Sequence, residues 1–124
     1  MNIPQIPYKY NITVLRGTDY SFAVKLQNCD GSQVSLRHFN VKMQIRKGYS
    51  SEALDELTQK NGRILISSSQ DNDFLDTVTI ILDHEHTKNY PFGGLLYDLR
   101  IESGNNAFTK ILEGQILCRV SVTQ

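Results

Sequence analysis

Apolar and polar residues alternate along four segments of this chain, and this period-two pattern limits it to a β structure. Each segment places its apolar side chains on one side of an extended backbone, as a half-buried strand requires. A helix would scatter the same residues around its circumference, so we predict four strands. The four apolar sets are Tyr20, Phe22, Val24 and Leu26; Val41, Met43 and Ile45; Leu95, Tyr97, Leu99 and Ile101; and Ile116, Cys118, Val120 and Val122.

Three shorter apolar segments, 12–15, 63–67 and 77–82, are predicted to be further strands. The segment 77–82 carries apolar residues on both faces, so we expect it to be central in its sheet. Turn residues that tolerate a positive φ separate the strands, at Asp30-Gly31, Asn61-Gly62 and Gly104-Asn105-Asn106. Short strands separated by such turns are typical of an all-β sandwich or barrel.

Residues 50–60 fit two different structures. Good helix formers and a serine followed by acidic residues are typical of the start of a helix. The same charges suit a loop with a poor edge strand, because charged side chains discourage pairing with another molecule. We favour an irregular connection with a short edge strand, and the helix remains the alternative.

The first ten residues are predicted to form an extended arm, residues 1–10, in front of one domain, residues 11–124. The length of 124 residues suits a single domain. Pro4 and Pro7 favour an extended chain, because proline fixes φ and removes a backbone donor. We expect the arm to pack on its own domain or on a neighbouring subunit. The apolar side chains available for that contact are Ile3, Ile6, Tyr8 and Tyr10.

The charge balance argues against two classes of partner. The chain has 13 basic and 13 acidic residues, so it lacks the basic field that attracts nucleic acid or an anionic membrane. No segment approaches the roughly 20 apolar residues of a membrane helix. The amino terminus lacks the basic start and apolar run of a signal peptide. We expect the protein to be made and kept in a cytoplasm until it joins an assembly.

No catalytic or cofactor-binding pattern is recognisable in the chain. None of the serines lies in a Gly-x-Ser-x-Gly turn, and His38 has no partner that the sequence identifies. Gly93-Gly94 lacks the spacing of a phosphate-binding loop. Cys118 is expected to be buried by the alternation, and buried cysteines are usually unreactive. We predict a protein that is not an enzyme and has no cofactor.

His84 and His86 are weak candidates for metal binding. In an extended chain both imidazoles would project to one side and reach one ion. A zinc site needs three or four ligands, and the sequence offers no obvious third. The alternative is that Asp83 to Thr87 forms a solvated turn leaving a strand. We therefore predict no metal site.

The position of Tyr97 in the sequence supports two interpretations of its role. It follows a bend, residues 90–94, and begins the inward face of a strand. In immunoglobulin-like sandwiches a tyrosine in this place closes a corner by a hydrogen bond to the upstream backbone. The alternative is an ordinary buried tyrosine, and the sequence favours neither.

Aromatic residues in arms, turns and strand ends are candidates for interfaces, because they bury much area at low entropic cost. At least half of them are expected instead to plug the open ends of the sandwich. The aromatic residues in these places are Tyr8, Tyr10, Phe39, Tyr49, Tyr90, Phe92 and Phe108. The residues that we single out as interface candidates are Ile3, Ile6, Tyr8, Tyr10, Tyr49 and Phe92.

Five motifs, taken in order and spacing, resemble a known family. They are Arg16-Gly17-Thr18-Asp19-Tyr20-Ser21-Phe22, Asp30-Gly31-Ser32-Gln33-Val34-Ser35-Leu36, Val41-Lys42-Met43-Gln44-Ile45-Arg46, Tyr97-Asp98-Leu99-Arg100-Ile101, and Leu112-Glu113-Gly114-Gln115-Ile116-Leu117 with Val120-Ser121-Val122-Thr123. Together they look like the small immunoglobulin-like structural proteins of tailed bacteriophages. The similarity covers nearly the whole chain after residue 11.

The resemblance implies an immunoglobulin-like antiparallel β-sandwich of about 7–9 strands with an extended amino-terminal arm. It implies a virion protein of the tail, neck, baseplate or fibre region, which acts through contacts with copies of itself and other virion proteins. Such proteins usually form rings or trimers, and the arm 1–10 is our leading candidate for an exchanged strand. The alternatives are a module that recognises carbohydrate or a host receptor, a capsid decoration protein, and a small phage inhibitor of a host protein.

Overall fold

The computed structural model of the chain describes residues 8–27, 31–32, 34–48, 52–70, 73–102 and 108–120, and these residues form nine strands and one short helix. The helix has four residues, and none of the described residues belongs to a helix long and apolar enough to cross a membrane. In chain order the elements are β1 (Tyr8–Lys9), β2 (Ile12–Leu15), β3 (Tyr20–Lys25), β4 (Asn40–Arg46), β5 (Ala53–Thr58), β6 (Ile64–Ser67), β7 (Thr77–Leu82), α1 (His84–Thr87), β8 (Gly93–Glu102) and β9 (Phe108–Arg119).

The strands form two sheets that pack into an immunoglobulin-like sandwich, which confirms the predicted fold class. One sheet has six strands in the order β1-β9-β8-β4-β5, with β2 also paired to β9. The other has three strands in the order β3-β7-β6. Pairing is antiparallel except at β1 and β2, which both run parallel to β9. These two strands carry the start of the chain along one edge of the larger sheet.

The core lies between the sheets and is built from the alternation seen in the sequence. Met43, Ile45 and Leu99 of the large sheet and Ile80 of the small sheet are completely buried. The predicted central position of 77–82 is confirmed, because β7 lies between β3 and β6. Its inward residues are fully buried, whereas the inward residues of the neighbouring β3 are only half buried. The core is therefore less completely covered at the β3 edge than at the centre of the small sheet.

Most of the predicted strands are confirmed, and one is longer than expected. The last strand begins at Phe108, well before the predicted alternation at Ile116, and Val122 lies outside the described residues. Residues 53–58 form the edge strand β5, so the helix alternative for this segment is wrong. The reason is tertiary: Leu57 is completely buried as part of the core, and this contact outweighs a weak helix propensity.

Residues 8–10 lie against their own domain. The Tyr10 N–H donates to the Glu113 carbonyl at 2.9 Å, and β1 pairs with Leu112 and Glu113. The backbone approaches so closely here that a Cβ on Gly114 would lie 2.1 Å from the Tyr10 carbonyl oxygen, so only glycine fits. Residues 1–7 of the predicted arm lie outside the described residues, and the boundary after residue 10 stays a prediction.

Candidate interaction surfaces

Three of the six predicted interface residues have a described structure, and all three are exposed. The exposed fraction is 69% for Tyr8, 45% for Tyr10 and 56% for Phe92. Tyr8 and Tyr10 lie at the β1 edge of the six-stranded sheet, and Phe92 lies at the turn before β8. The other three, Ile3, Ile6 and Tyr49, lie outside the described residues.

The expectation that at least half of the aromatic residues plug the ends of the sandwich is wrong for the described ones. Only Tyr90 is buried, at 2% exposure, and Phe39 is half buried. Phe92 and Phe108 are more than half exposed, and each ring carries an arginine above it. The Arg16 guanidinium lies 4.6 Å from the Phe92 centroid, and that of Arg100 lies 5.1 Å from the Phe108 centroid.

Aromatic side chains line the flank of the sandwich between β3 and the amino-terminal strands, which we call the open side. The ring centroids of Tyr10 and Phe22 are 5.7 Å apart, and those of Tyr20 and Phe22 are 6.1 Å apart. Tyr20, Phe22 and Val24 face the core but stay only half buried. Burial, followed by the hydrogen bond to the Tyr10 side chain, raises the pKa of Tyr20. These rings leave apolar surface in reach of a partner.

The backbone of β3 is available for pairing along the same flank. The Leu26 N–H donates to the Asp76 carbonyl at 2.8 Å, which continues the ladder between β3 and β7. Because backbone groups alternate in direction along an antiparallel strand, Ser21, Ala23 and Lys25 point their N–H and C=O groups away from β7, to an edge beside which no described strand lies. The open side therefore combines half-buried aromatic rings with a free strand edge.

The other long edge strand, β5, has its outward backbone groups covered by side chains. The Glu56 N–H donates to the Asp55 carboxylate at 2.9 Å, and the Thr58 N–H donates to the Asn61 side chain at 3.0 Å. The exposed carboxylate of Glu56 adds charge to this edge. Covered donors and charge both discourage the addition of a further strand.

A buried polar network joins β5 to the start of β6, on the flank that we call the closed side. Arg63 donates to both carboxylate oxygens of Asp55 at 2.8 Å, and the Tyr90 hydroxyl donates to the same carboxylate at 2.5 Å. The side chains of Arg63 and Asp55 are only 9% and 11% exposed. The Arg63 Nε lies 3.2 Å from Asp83. A bidentate pair of this kind fixes the separation of the two sheets.

The network shifts the ionisation of its members. Burial alone would raise the pKa of Asp55, but the hydrogen bonds from Arg63 and Tyr90 outweigh it and hold that pKa below its usual range. Burial, and then the hydrogen bond to the ionised Asp55, raises the pKa of the Tyr90 phenol. At neutral pH the site therefore holds an ionised pair and a neutral phenol, and its charges are internally balanced.

Tyr97 is buried and its hydroxyl bonds to the upstream backbone, as the corner interpretation expects, but the bond does not close the corner before β8. Its hydroxyl donates to the carbonyl of Tyr10, far upstream in the chain, rather than to the bend that precedes β8. The bond ties the amino-terminal segment to the centre of the large sheet. Burial raises the pKa of Tyr97 well above its usual range, so the phenol stays a donor at neutral pH.

The first of the five sequence motifs, residues 16–22, holds the turn between β2 and β3 against α1. The Arg16 Nε donates to the Lys88 carbonyl at 2.9 Å. The Asp19 carboxylate accepts from the backbone N–H of His84 at 2.7 Å and lies 2.9 Å from its Nδ1. The Thr87 hydroxyl donates to the Thr18 carbonyl at 2.8 Å. These contacts are structural, and they explain why the motif residues occur together.

The extended geometry that would bring His84 and His86 to one ion is absent, because the segment forms a short helical turn after β7, in line with the alternative prediction. Residues two apart on a helix do not face each other. Each ring has its own carboxylate: Asp19 for His84, and Asp83 for His86 at 2.7 Å. The hydrogen bond that the His84 ring donates to Asp19 raises the pKa of His84. Among the described residues, no group of three or more His, Cys, Asp or Glu side chains could hold a metal ion.

The remaining candidates for chemistry are dispersed. Cys118 is buried, as predicted, and burial raises the pKa of its thiol, which keeps it protonated. His38 is exposed in the turn before β4, where it adopts a φ of 72°. The two residues lie on different elements, and neither is hydrogen-bonded to a side chain that could activate it in the part of the chain that the structure describes.

The sequence pattern predicts neither the β3 edge nor the polar network of the closed side. Alternation locates a strand and its inward face, but it does not show which strand ends a sheet. Asp55, Arg63 and Tyr90 are separated along the chain by intervals that match no known motif. One feature of the sequence does indicate the network. Arg63 follows the turn Asn61-Gly62 and lies at the start of a buried strand, where a charged side chain needs a partner of opposite charge.

Comparison with known proteins identifies no relative of the chain by sequence. No family model matches it, and no curated protein matches it. The solved structures similar to it include a chain from a study of T cell specificity and activation by the bacterial superantigen toxic shock syndrome toxin-1, with 12% identity, a TM-score of 0.46, and coverage of 88% of this chain and 92% of that one.

Two further solved structures, one from zebrafish and one from Drosophila, are similar to this chain. The cadherin-like domains 1 to 4 of zebrafish RET match with 12% identity and a TM-score of 0.44 over 94% of this chain and 23% of that one. Domains 3–5 of Drosophila OTK match with 13% identity and a TM-score of 0.39 over 94% of this chain and 35% of that one. Similarity at this level assigns no function.

Proposed function

We propose that this protein is a non-enzymatic structural protein of a tailed-bacteriophage virion, in the tail, neck or baseplate region, which assembles through its β3 edge. The virion assignment rests on the ordered motifs from Arg16 to Thr123. The observation that carries the mode of assembly is the open side, where a free strand edge lies beside half-buried aromatic rings. Its partners are copies of itself and other virion proteins.

Strand addition at β3 suits these features. An added strand would pair with the outward N–H and C=O groups of Ser21, Ala23 and Lys25, which supply affinity through the main chain. Its inward side chains would cover Tyr20 and Phe22 and thereby complete the core on this flank. Lys25 is the only charged residue of β3, so little charge has to be desolvated.

The β3 edge is better suited to this than the other edges. The edge strand β6 has four residues, and the edge formed by β1 and β2 is interrupted at Tyr10 and Asn11. The six-residue strand β5 has outward donors that are already bonded to side chains. An added strand gains most where the edge is long, continuous and unbonded, and these properties occur together at β3.

The donor strand in this proposal is the start of the arm of a neighbouring copy. Residues 8–10 are held by β9 and Tyr97 of their own domain, so an exchange of the whole arm 1–10 would first break these bonds. Ile3 and Ile6 each directly precede a proline, Pro4 and Pro7, and an extended apolar segment suits an edge with apolar inward contacts.

The proposal is tested by sedimentation velocity over a range of protein concentrations. We expect the full chain to form a defined oligomer and the Ala23→Pro variant to be a monomer, because proline removes an outward donor while edge strands tolerate it. Ala23→Ser is the matched control, since it keeps the N–H group and should assemble like the parent. Thermal melting of both variants shows whether the fold is retained.

A monomeric parent chain at every concentration, or a well-folded Ala23→Pro variant that assembles normally, would contradict assembly through β3. Deletion of residues 1–7 separates the donor from the acceptor: loss of assembly is expected, and normal assembly would exclude the arm as donor. Mass spectrometry of purified particles tests the virion assignment independently. Stoichiometric presence is expected, and absence from particles would contradict it.

A further inference from the structure

An open groove of about 630 Å³ crosses the outer face of the six-stranded sheet, away from β3. Its floor is formed by β8 and β9, and residues of β4 and of the amino-terminal segment form its walls. The lining is polar and contains four basic side chains, those of Lys9, Arg46, Arg100 and Lys110, against the two acidic ones of Asp98 and Glu113. The groove is thus basic by two charges in a chain whose net charge is zero.

Three cations lie in one row across this face. The register places Lys42 opposite Arg100 on β4 and β8, and Arg100 opposite Lys110 on β8 and β9. Like charges directly opposite each other destabilise a sheet. Repulsion between these three neighbouring cations destabilises the sheet, and a bound anion would reduce that repulsion.

A β-bulge creates this row. The register between β8 and β9 shifts at Leu99 and Arg100, so that Leu99 faces Leu112 while Arg100 faces Lys110. Ile111 is the extra residue, and both Ile111 and Leu112 are buried. The bulge therefore returns Lys110 to the outer face beside Arg100, in the way bulges re-aim side chains next to functional sites.

The available carboxylate does not balance these cations. Asp98 lies 3.3 Å from the Arg100 guanidinium and 3.7 Å from the Lys110 ammonium, so two cations share one partner at long distances. The Arg100 Nε is buried and has no hydrogen-bond partner among the described residues. Buried donors in folded proteins are normally bonded, so Asp98 does not use up the hydrogen-bonding capacity of the Arg100 guanidinium.

The chemistry of the lining favours a saccharide over a peptide. The strands under the groove, β4, β8 and β9, are paired on both sides, so a peptide could not add to them through its main chain. Leu96 is the one aliphatic side chain of the lining, which leaves no apolar pocket for peptide side chains. Amide side chains of Gln44 and Gln115 and the carboxylates of Asp98 and Glu113 offer both donors and acceptors for hydroxyl groups.

We propose that this groove binds an acidic oligosaccharide, with a sugar carboxylate on Arg100 and Lys110 and the sugar hydroxyls on Asp98, Glu113 and the neighbouring amides. This site is independent of assembly through β3, because the two surfaces belong to different sheets. Either proposal can fail without the other.

Calorimetric titration of the full chain with a galacturonic acid hexamer tests the site, with maltohexaose as the uncharged saccharide and hexaglutamate as the acidic peptide. We expect saturable binding of the acidic saccharide alone, weakened by salt because exposed charges are screened. Arg100→Gln and Lys110→Gln should each lower the affinity about ten-fold, as for the loss of one charge-assisted hydrogen bond. Lys60→Gln, on the exposed turn after β5, is the matched control and should bind like the parent.

Amide NMR shifts on adding the hexamer locate the site. Changes at Asp98, Arg100, Lys110 and Gln115 are expected. No saturable binding of the acidic saccharide, equal binding of hexaglutamate, or equal affinity of Lys110→Gln and Lys60→Gln would each overturn the proposal. Lys110 is 42% exposed, so its substitution leaves the fold intact and the test valid even if Arg100→Gln is unstable.

Discussion

The two flanks of the sandwich are joined in different ways. On the closed side, the ion pair between Asp55 and Arg63 links the two sheets, and the Tyr90 hydroxyl donates a further hydrogen bond to the Asp55 carboxylate. On the open side, the sheets meet through the rings of Tyr10, Tyr20 and Phe22, and no ion pair among the described residues joins them there. A buried ion pair therefore joins the sheets on the closed side, whereas half-buried rings join them on the open side.

This difference assigns the stability of the fold to the closed side and contact with a partner to the open side. A buried bidentate ion pair has nothing left to offer a partner, but breaking it is costly. Half-buried rings beside a free strand edge contribute less to the isolated fold and gain more when a partner covers them. A protein that assembles through one flank benefits when the other flank alone keeps the two sheets together.

The largest expected effect is on the closed side. Replacing Asp55 with alanine leaves the Arg63 guanidinium buried without its main partner, and we expect a loss of about 3–5 kcal/mol in the free energy of unfolding. Asp98→Ala, which removes a carboxylate on the outer face, should cost less than about 1 kcal/mol. Urea unfolding of both variants makes the comparison. Equal effects would mean that the closed side does not stabilise the fold in the way we describe.

An intermediate effect is expected from the same substitution made on both flanks. Tyr90→Phe removes a buried donor to Asp55 and should cost about 1–3 kcal/mol, because the carboxylate is left incompletely bonded. Tyr20→Phe removes a half-exposed hydroxyl next to Tyr10 and should cost at most about 1 kcal/mol. Both free energies come from the same urea titrations. A larger loss for Tyr20→Phe would reverse the assignment of the two flanks.

The smallest expected effect concerns the turn between β2 and β3. The hydrogen bond to Asp19 holds the pKa of His84 above its ordinary value, while the same contact lowers that of Asp19. Protonated His84 therefore stabilises the folded protein. This stabilisation is complete below the pKa of an unfolded histidine and is lost as the pH rises through the raised pKa of the folded state. In Asp19→Asn, NMR titration should show the pKa of His84 lowered towards its ordinary value, with the charges of Glu85 and Asp83 still raising it. An unchanged titration would show that the contact does not form in solution.

The fold could be predicted from the sequence because its strands alternate so regularly. The segments that begin at Tyr20, Val41 and Leu95 were located to within two residues, since one buried face dictates the period. Residues 50–60 remained ambiguous, because their helix propensity conflicts with a strand set only by tertiary contacts. The bulge at Ile111 was also hidden, since it interrupts the alternation of β9 where two buried residues follow each other.

The candidate surfaces could be predicted only in part. Exposure of Tyr8, Tyr10 and Phe92 follows from their places in the arm and a turn. The partners of Tyr97 and Asp55 could not be found, because both contacts join segments distant in the chain. The cation row required the register of three strands, and single-sequence periodicity carries no register between strands.

Hydrogen exchange of individual amides, measured by NMR in dilute and in concentrated solution, tests assembly through β3 most directly. In dilute solution the outward amides of Ser21, Ala23 and Lys25 should exchange rapidly, because they face solvent. We expect these three amides to become protected as the oligomer forms, while Glu56 on β5 does not change. Protection of Glu56 without protection of β3, or oligomers in which Ser21, Ala23 and Lys25 still exchange rapidly, would contradict the account.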